Sequence, residues 1–174
     1  MNAEQLRAAQ APLKTLYKQE PAAALRTLVT RGRISSDAPT VRIETGHGKV
    51  LAGLHPATGG SGAEACSGDM MLESLAACAG VTLKAVATAM GIDIRAGAVV
   101  VEGDLDFRGT LGVAKDAPVG FAAIRLRFEI DSDASPEQQA TLLKLAERYC
   151  VIYQTLRQPP PVEVSFVGGP AGAK

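Results

Sequence analysis

The sequence is poor in the residues that mark metal-binding, disulfide-rich or strongly aromatic proteins. Its 174 residues include no tryptophan, only 4% aromatic side chains, two histidines and three cysteines. A small, odd number of cysteines without a C-x-x-C pair does not build a disulfide framework, so we expect thiols that stay reduced. The histidines, His47 and His55, combine with Cys66 in no tight ligand spacing. We therefore predict no metal site and no cofactor.

The sequence also has no excess of either charge and no recognisable targeting signal. Lys plus Arg and Asp plus Glu are balanced at 18 each. Nucleic-acid binding needs a clustered positive field, so this balance argues against a nucleic-acid partner. No uninterrupted apolar run reaches the roughly 18 residues of a membrane span, and MNAEQLRAAQ lacks the pattern of a secretory signal. We expect a cytoplasmic protein without a membrane partner.

The chain length suits one domain, in which we distinguish three parts. Residues 1–26 are predicted to be a helical extension, amphipathic from Leu6 to Tyr17 and kinked or split by Pro12 and Pro21. Residues 27–167 form the core, and residues 168–174 a flexible tail. The core begins with β signals over residues 27–54, including the strand-like segments Leu28–Thr30, Val41–Ile43 and Lys49–Leu51, and continues into a Gly- and Ser-rich loop.

The clearest helix is predicted over residues 69–90, with Gly91 as its C-terminal cap. Polar side chains follow one edge of this helix, and the rest of its circumference is apolar, which is typical of a helix in a protein interior. At 100° per residue Cys78 lies about 140° around the helix from Glu73, so we place Cys78 inside the buried arc.

The rest of the chain carries both strand and helix patterns. Residues 99–107 and 124–130 are predicted strands, and the second alternates strictly between apolar and polar side chains. Ser135, Pro136 and Gln138 form a helix start with a capping box, and this helix is predicted to run to about Arg157. On it, Cys150 shares the packed face of Ala146 and Tyr153. A last strand is predicted over residues 162–166. The fold class is therefore α+β.

Four segments in this order resemble the OsmC/Ohr family of peroxide-handling proteins. They are MMLESLAACAGVTLKAVATAMGIDI around Cys78, GDLDFRGTLGVAKDAPVGFAAIRLRFEIDSDA, LLKLAERYCVIYQTL around Cys150, and PVEVSF. The resemblance implies an OsmC-like fold, in which two central helices pack between curved antiparallel β-sheets, and an intertwined homodimer. The N-terminal helix is then an extension beyond the smallest members.

The resemblance also implies roles for individual residues. The cysteine that matches Cys78 is the peroxidatic thiol in the family, and the one that matches Cys150 is the resolving thiol. An arginine from the first hairpin and an acidic residue at the start of the first core helix accompany them. Asp69 is the match for the acidic residue, and Arg31 is the first choice for the arginine, ahead of Arg33 and then Arg42.

These residues also fit simpler structural roles. Asp69 is also a good helix cap, and Arg31 can be a solvated turn residue. Cys66 lies in the Gly- and Ser-rich loop, where a spectator thiol is the simpler interpretation. Buried cysteines in general often serve only as small hydrophobic side chains.

The implied chemistry explains why a cation would be needed. A thiolate attacks peroxide, and burial among apolar side chains raises a thiol pKa, whereas a nearby guanidinium, held by Asp69, lowers it. Attack leaves a sulfenic acid on Cys78, which Cys150 converts to a disulfide, and an external dithiol, of the lipoyl type in relatives, reduces that disulfide. Such a bridge needs Cα atoms roughly 4.4–6.8 Å apart, so the two helices must cross near the cysteines.

The leading hypothesis is therefore a thiol-dependent peroxidase that reduces organic hydroperoxides. The alternative is a non-enzymatic member of the same fold that binds a small apolar ligand or a partner. A third hypothesis is a purely structural dimer.

Overall fold

The computed structural model describes residues 1–46 and 48–168. His47 and the predicted tail after residue 168 lie outside the described residues. Within them the chain forms five α-helices and six β-strands: α1 (Ala3–Gln19), β1 (Arg31–Ile34), β2 (Val41–Thr45), β3 (Gly48–Gly53), β4 (Ala65–Cys66), α2 (Ser67–Met90), β5 (Ile94–Asp104), α3 (Phe107–Thr110), β6 (Ala123–Ser132), α4 (Pro136–Tyr149) and α5 (Val151–Arg157).

The strands form two separate sheets. The first has the order β1-β2-β3-β4 and is antiparallel except for the short parallel pair of β3 with β4. The second is the long antiparallel hairpin of β5 and β6. Along β6 the side chains alternate strictly between exposed and half-buried, as its alternating sequence predicts. The predicted α+β class is confirmed.

Helix α2 lies at the centre of the fold. Leu75, Ala79, Leu83 and Ala87 recur at every fourth position of α2 and are all buried. This spacing places them on one helix face, which packs against β5, α4 and α5. By length and hydropathy α2 is apolar enough to cross a bilayer, a test that the central helix of a water-soluble fold also passes. Here its apolar face forms the protein core.

The ends of the first two long helices follow the sequence closely. Asn2 and Gln5 form a capping box at the start of α1, which ends before a separate 3-10 turn that begins at Pro21. The predicted split at Pro21 is therefore confirmed. Helix α1 contacts α2 but contains no fully buried residue. Gly91 ends α2 in the left-handed conformation, with φ of 73°, as expected for a glycine cap.

Two predictions about the second half of the chain were wrong. The helix predicted from Pro136 to Arg157 is broken at Cys150 into α4 and α5. The segment 162–166 is not part of either sheet, and Val162, Val164 and Phe166 are 82%, 91% and 95% exposed. Its alternating pattern fits a strand, but a strand forms only against a partner strand, and in the described part of one chain this segment pairs with none.

Candidate functional site

The structure brings two of the three cysteines together in the core. Cys78 lies in the middle of α2 and is half-buried, whereas Cys150 lies between α4 and α5 and is 1% exposed. Both pack in one cluster with Leu75 and Ala79. Both are free thiols. The helices therefore meet at the two cysteines, as a Cys78–Cys150 bridge requires.

The break between α4 and α5 shapes the surroundings of Cys78. Cys150 has φ of −74° and ψ of 109°, an extended conformation that stops α4. Its N–H still donates to the carbonyl of Ala146, and its Sγ accepts a hydrogen bond of 3.5 Å from the N–H of Tyr153. In a continuous helix the N–H groups of Val151 and Ile152 would point to carbonyls four residues earlier. Here the break at Cys150 separates them from that helical pattern, and Ile152 packs in the cluster that holds both thiols.

These contacts decide the protonation of Cys78. Burial of the thiol acts to raise its pKa, because a low dielectric disfavours the thiolate. Hydrogen bonds from the N–H of Ile152, the thiol of Cys150, the N–H of Val151 and the hydroxyl of Thr82 oppose this and bring the pKa of Cys78 below its ordinary value. Cys78 is thus the thiol of the pair that loses its proton first.

Cys150 has the opposite tendency. Burial raises the pKa of the Cys150 thiol, the N–H of Tyr153 opposes this, and the neighbouring Cys78 adds to the increase, so that the pKa ends above its ordinary value. The result is an unequal pair, in which Cys78 is the more acidic thiol and Cys150 the less acidic one. Such a pair provides one nucleophile and one reserve thiol.

The unequal pair predicts distinct pH profiles for alkylation. Because the pKa of Cys78 is lowered and that of Cys150 is raised, the rate of Cys78 labelling by iodoacetamide should reach its plateau at a lower pH than that of Cys150. Mass spectrometry of the two cysteine peptides measures both profiles in one sample. Denatured protein, in which the two profiles should coincide, is the control. Coincident profiles in the native protein would contradict the assignment.

Within one described chain, the predicted arginine is not among the main causes of the lowered pKa of Cys78. Arg31 lies on the edge strand β1, exposed and opposite Glu44. Arg33 forms an exposed ion pair with Glu44 at 3.2 Å, and Arg42 is exposed on β2. In the described part of the chain, the five largest effects on the pKa of Cys78 come from burial and from hydrogen bonds, none of them from a guanidinium.

Asp69 also lies away from Cys78. It is in the first turn of α2, and nine residues at 100° each place it half a turn around the helix from Cys78 and roughly 13 Å along its axis. It lines a separate cavity of about 380 Å³ together with Cys66, Asp104 and His55, whose ring stacks on Phe107. This position agrees with the capping alternative, since a carboxylate is favourable in the first turn of a helix.

A cavity shares several wall residues with the cluster that holds the thiol pair, although neither cysteine lines it. It has a volume of about 410 Å³ and is lined mainly by apolar side chains, among them Leu75, Ile124 and Tyr153, with Glu147 and Arg157 as its charged members. Leu75 and Tyr153 also pack against the cysteines. An apolar molecule bound here would lie next to the cluster that holds Cys78 and Cys150.

Three groups that contribute to the lowered pKa of Cys78 were not predicted from the sequence: Thr82 and the backbone N–H groups of Val151 and Ile152. Thr82 had a signal, because it follows Cys78 by four residues and so shares its helix face. The two N–H groups had none, since they become available only through the break at Cys150, where the chain carries neither glycine nor proline.

Comparison with known proteins agrees with this architecture. The family model described as OsmC-like protein matches residues 60–165, more than half of the chain. No curated protein gives a significant sequence match.

Solved structures extend the likeness over most of the fold. An OsmC-like protein from Mycoplasma pneumoniae has a TM-score of 0.64 at 19% identity, over 77% of this chain and 89% of that one. An organic hydroperoxide resistance protein OsmC from Legionella pneumophila has a TM-score of 0.60 at 19% identity, over 78% and 92%. An organic hydroperoxide resistance protein from Elizabethkingia anophelis has 0.57 at 13% identity, over 78% and 91%.

At identities this low, the structural likeness shows a shared fold, and the match of the family model shows membership of the family. The matched residues of the family model include the helix that carries Cys78 and the region that carries Cys150. This chain belongs to the OsmC-like protein family.

Proposed function

We propose that this protein is a thiol-dependent peroxidase that reduces organic hydroperoxides with Cys78 as the nucleophile and Cys150 as the resolving thiol. The observation that carries the proposal is the contact between two thiols of unequal acidity inside the fold of this family. A lowered pKa favours the thiolate of Cys78, and the neighbouring Cys150 thiol is in place for the second step.

The chemistry proceeds in three balanced steps. The Cys78 thiolate attacks the outer oxygen of the hydroperoxide, the O–O bond breaks, and after proton uptake an alcohol leaves while Cys78 becomes a sulfenic acid. The sulfur of Cys150 then attacks the Cys78 sulfur, and water leaves as the disulfide forms. An external dithiol reduces that disulfide by exchange and becomes a disulfide itself. The protein returns with both thiols.

The surroundings of the thiols favour an organic substrate. The cavity beside them is lined by Leu75, Ile124 and Tyr153, among other apolar side chains. An alkyl or aryl group gains free energy by leaving water for such a cavity, roughly 25 cal/mol for each Å² of apolar surface buried. Hydrogen peroxide has no such group. We therefore propose that cumene or alkyl hydroperoxides react faster than hydrogen peroxide.

Two features of the chain support assembly with a second copy, as a homodimer. The alternating segment 162–166 and the stretch from Leu25 to Ile34 expose large apolar side chains, with Leu28 at 92% and Ile34 at 84%. Exposed apolar patches of this kind mark interaction surfaces. The contribution of Arg31 to catalysis stays a prediction that depends on such a second copy, and that of Asp69 stays a prediction as well. Light scattering of the purified protein tests the dimer, and a monomer at micromolar concentration would contradict it.

Consumption of peroxide tests the proposed function directly. The full chain is mixed with cumene hydroperoxide and excess dihydrolipoamide, and the remaining peroxide is measured against time. We expect catalytic turnover, with many peroxide molecules consumed per chain, and a lower rate with hydrogen peroxide. Consumption no faster than in a sample without protein would overturn the proposal.

The non-enzymatic alternative has one observation in its favour. The described chain brings no guanidinium into the main contacts of Cys78, while an apolar cavity is available for a ligand. Counting thiols after addition of hydroperoxide separates the two functions. Loss of two thiols per chain supports the peroxidase, and an unchanged count supports the binding protein.

A further inference from the structure

We propose that Gln154 is a positioning residue, whose side chain keeps the chain bent at Cys150 and so holds the resolving thiol beside Cys78. The inference rests on the proposed function, because Cys150 is the thiol that resolves the sulfenic acid of Cys78 in that reaction. It concerns the closure of the disulfide and gives Gln154 no part in the attack on the peroxide.

A hydrogen bond from the Gln154 side chain spans the break between α4 and α5. Its Nε2 donates to the backbone carbonyl of Glu147, in the last turn of α4, at 2.8 Å. In a continuous helix that carbonyl would accept the N–H of Val151, four residues later. Within residues 1–46 and 48–168 no hydrogen bond joins these two backbone groups. The Gln154 amide therefore takes the place of a helical hydrogen bond that the break removes.

This hydrogen bond matters because the local sequence does not impose the break. Residues 137–157 contain neither glycine nor proline, so a straight helix through Cys150 is an available alternative. In the straight form the Val151 N–H would bond the Glu147 carbonyl, and the Gln154 amide would lose its partner. The side-chain donor and the backbone donor thus compete for one carbonyl, and the Gln154 amide favours the bent form.

The bent form is the one that places Cys150 against α2. There its side chain is 1% exposed and packs in the cluster that contains Leu75 and Cys78. The backbone N–H of Gln154 also donates to the carbonyl of Cys150, at 2.9 Å. Gln154 therefore connects α5 to Cys150 through its backbone and to the last turn of α4 through its side chain. Loss of the side-chain bond leaves the direction of α5, and with it the position of the Cys150 sulfur, less restricted.

The experiment measures how readily the two thiols close into a disulfide in the absence of peroxide. The reduced full chain is equilibrated with mixtures of oxidised and reduced dithiothreitol. The two protein thiols lose two electrons and two protons as they form a disulfide, and one oxidised dithiothreitol takes these up to become the dithiol. The remaining thiols are then blocked, and mass spectrometry quantifies the Cys78–Cys150 disulfide. Because the cysteines meet in the bent form, this equilibrium reports their positioning.

Gln154→Met keeps the length of this exposed side chain and removes its donor. For half-formation of the disulfide we expect the variant to need a ratio of oxidised to reduced dithiothreitol about fivefold higher than the parent, the scale of one hydrogen bond. Gln154→Lys restores a donor and should return the ratio to the parent value. Gln158→Met is the matched control, because in the described part of the chain the exposed Gln158 side chain makes no hydrogen bond.

The variants separate this inference from the proposed function. An unchanged ratio for Gln154→Met would overturn the inference, and so would an equal rise for Gln154→Lys or for Gln158→Met. Since no peroxide is present, a chain that shows the expected ratios but does not consume hydroperoxide would disprove only the peroxidase. Peroxide turnover with an unchanged ratio for Gln154→Met would disprove only the positioning role.

Discussion

Replacement of Cys78 by serine is expected to lower the rate of cumene hydroperoxide reduction by roughly a thousandfold or more, the scale seen when a nucleophile is removed. Serine keeps the size and a hydrogen-bonding group, but its hydroxyl is not ionised near neutral pH, so it cannot attack the peroxide. The peroxide assay with excess dithiol measures the loss, and circular dichroism verifies that the variant is folded.

Cys66→Ser is the matched control for this variant. Cys66 lines the cavity with Asp69 and His55 on another side of α2 and has no place in the proposed reaction. The Cys66→Ser variant should therefore reduce cumene hydroperoxide at the rate of the parent protein. If Cys78→Ser retained full activity, or if Cys66→Ser lost as much, Cys78 would not be the nucleophile.

Replacement of Cys150 by serine is expected to stop turnover after the first chemical step. Cys78 still attacks the peroxide, so one equivalent of hydroperoxide per chain should react quickly and the reaction should then slow sharply. No resolving thiol remains, and Cys78 stays as a sulfenic acid. Dimedone labels that species, and mass spectrometry should find the label on the Cys78 peptide.

The serine hydroxyl can take over the hydrogen bond that the Cys150 thiol gives to Cys78, so the first step should be little affected. The parent protein, treated in the same way, should carry little dimedone because its disulfide forms instead. Undiminished steady-state turnover of Cys150→Ser would show that another thiol or the external dithiol resolves Cys78 directly.

The part of the site that a single helix determines was predictable from the sequence. An almost wholly apolar helix of this length must lie in the interior, and its phase places Cys78 on the buried side. The structure agrees, with Leu75 and Ala79 buried on either side of Cys78. The same reasoning placed Cys150 on a packed face. That Cys150 lies beside Cys78 was implied only by the family resemblance, because the periodicity of one helix does not show which other helix packs against it.

The part that depends on tertiary packing was not predictable. Nothing local ends a helix at Cys150, so the sequence favoured one continuous helix to Arg157. In the structure the break lies at Cys150, which packs with Leu75 and Ala79 of α2 in one buried cluster. The strand predicted at residues 162–166 was wrong for the described chain because a pattern of alternation does not supply a partner strand.

The predicted roles of Arg31 and Asp69 show how a family pattern depends on its surroundings. A guanidinium was expected because burial alone makes a thiol inert. In this chain hydrogen bonds already outweigh the effect of burial on the pKa of Cys78. Asp69 was matched by its place near the start of the helix, but a nine-residue separation turns it to the opposite side from Cys78.

The most direct test of the account is to find which sulfurs become linked when the protein meets its substrate. The reduced full chain is treated with one equivalent of cumene hydroperoxide without reductant, remaining thiols are blocked, and a nonreducing digest is analysed by mass spectrometry. The account predicts a disulfide between Cys78 and Cys150, with Cys66 still a blocked free thiol. Three unmodified thiols, or a bridge that includes Cys66, would contradict it.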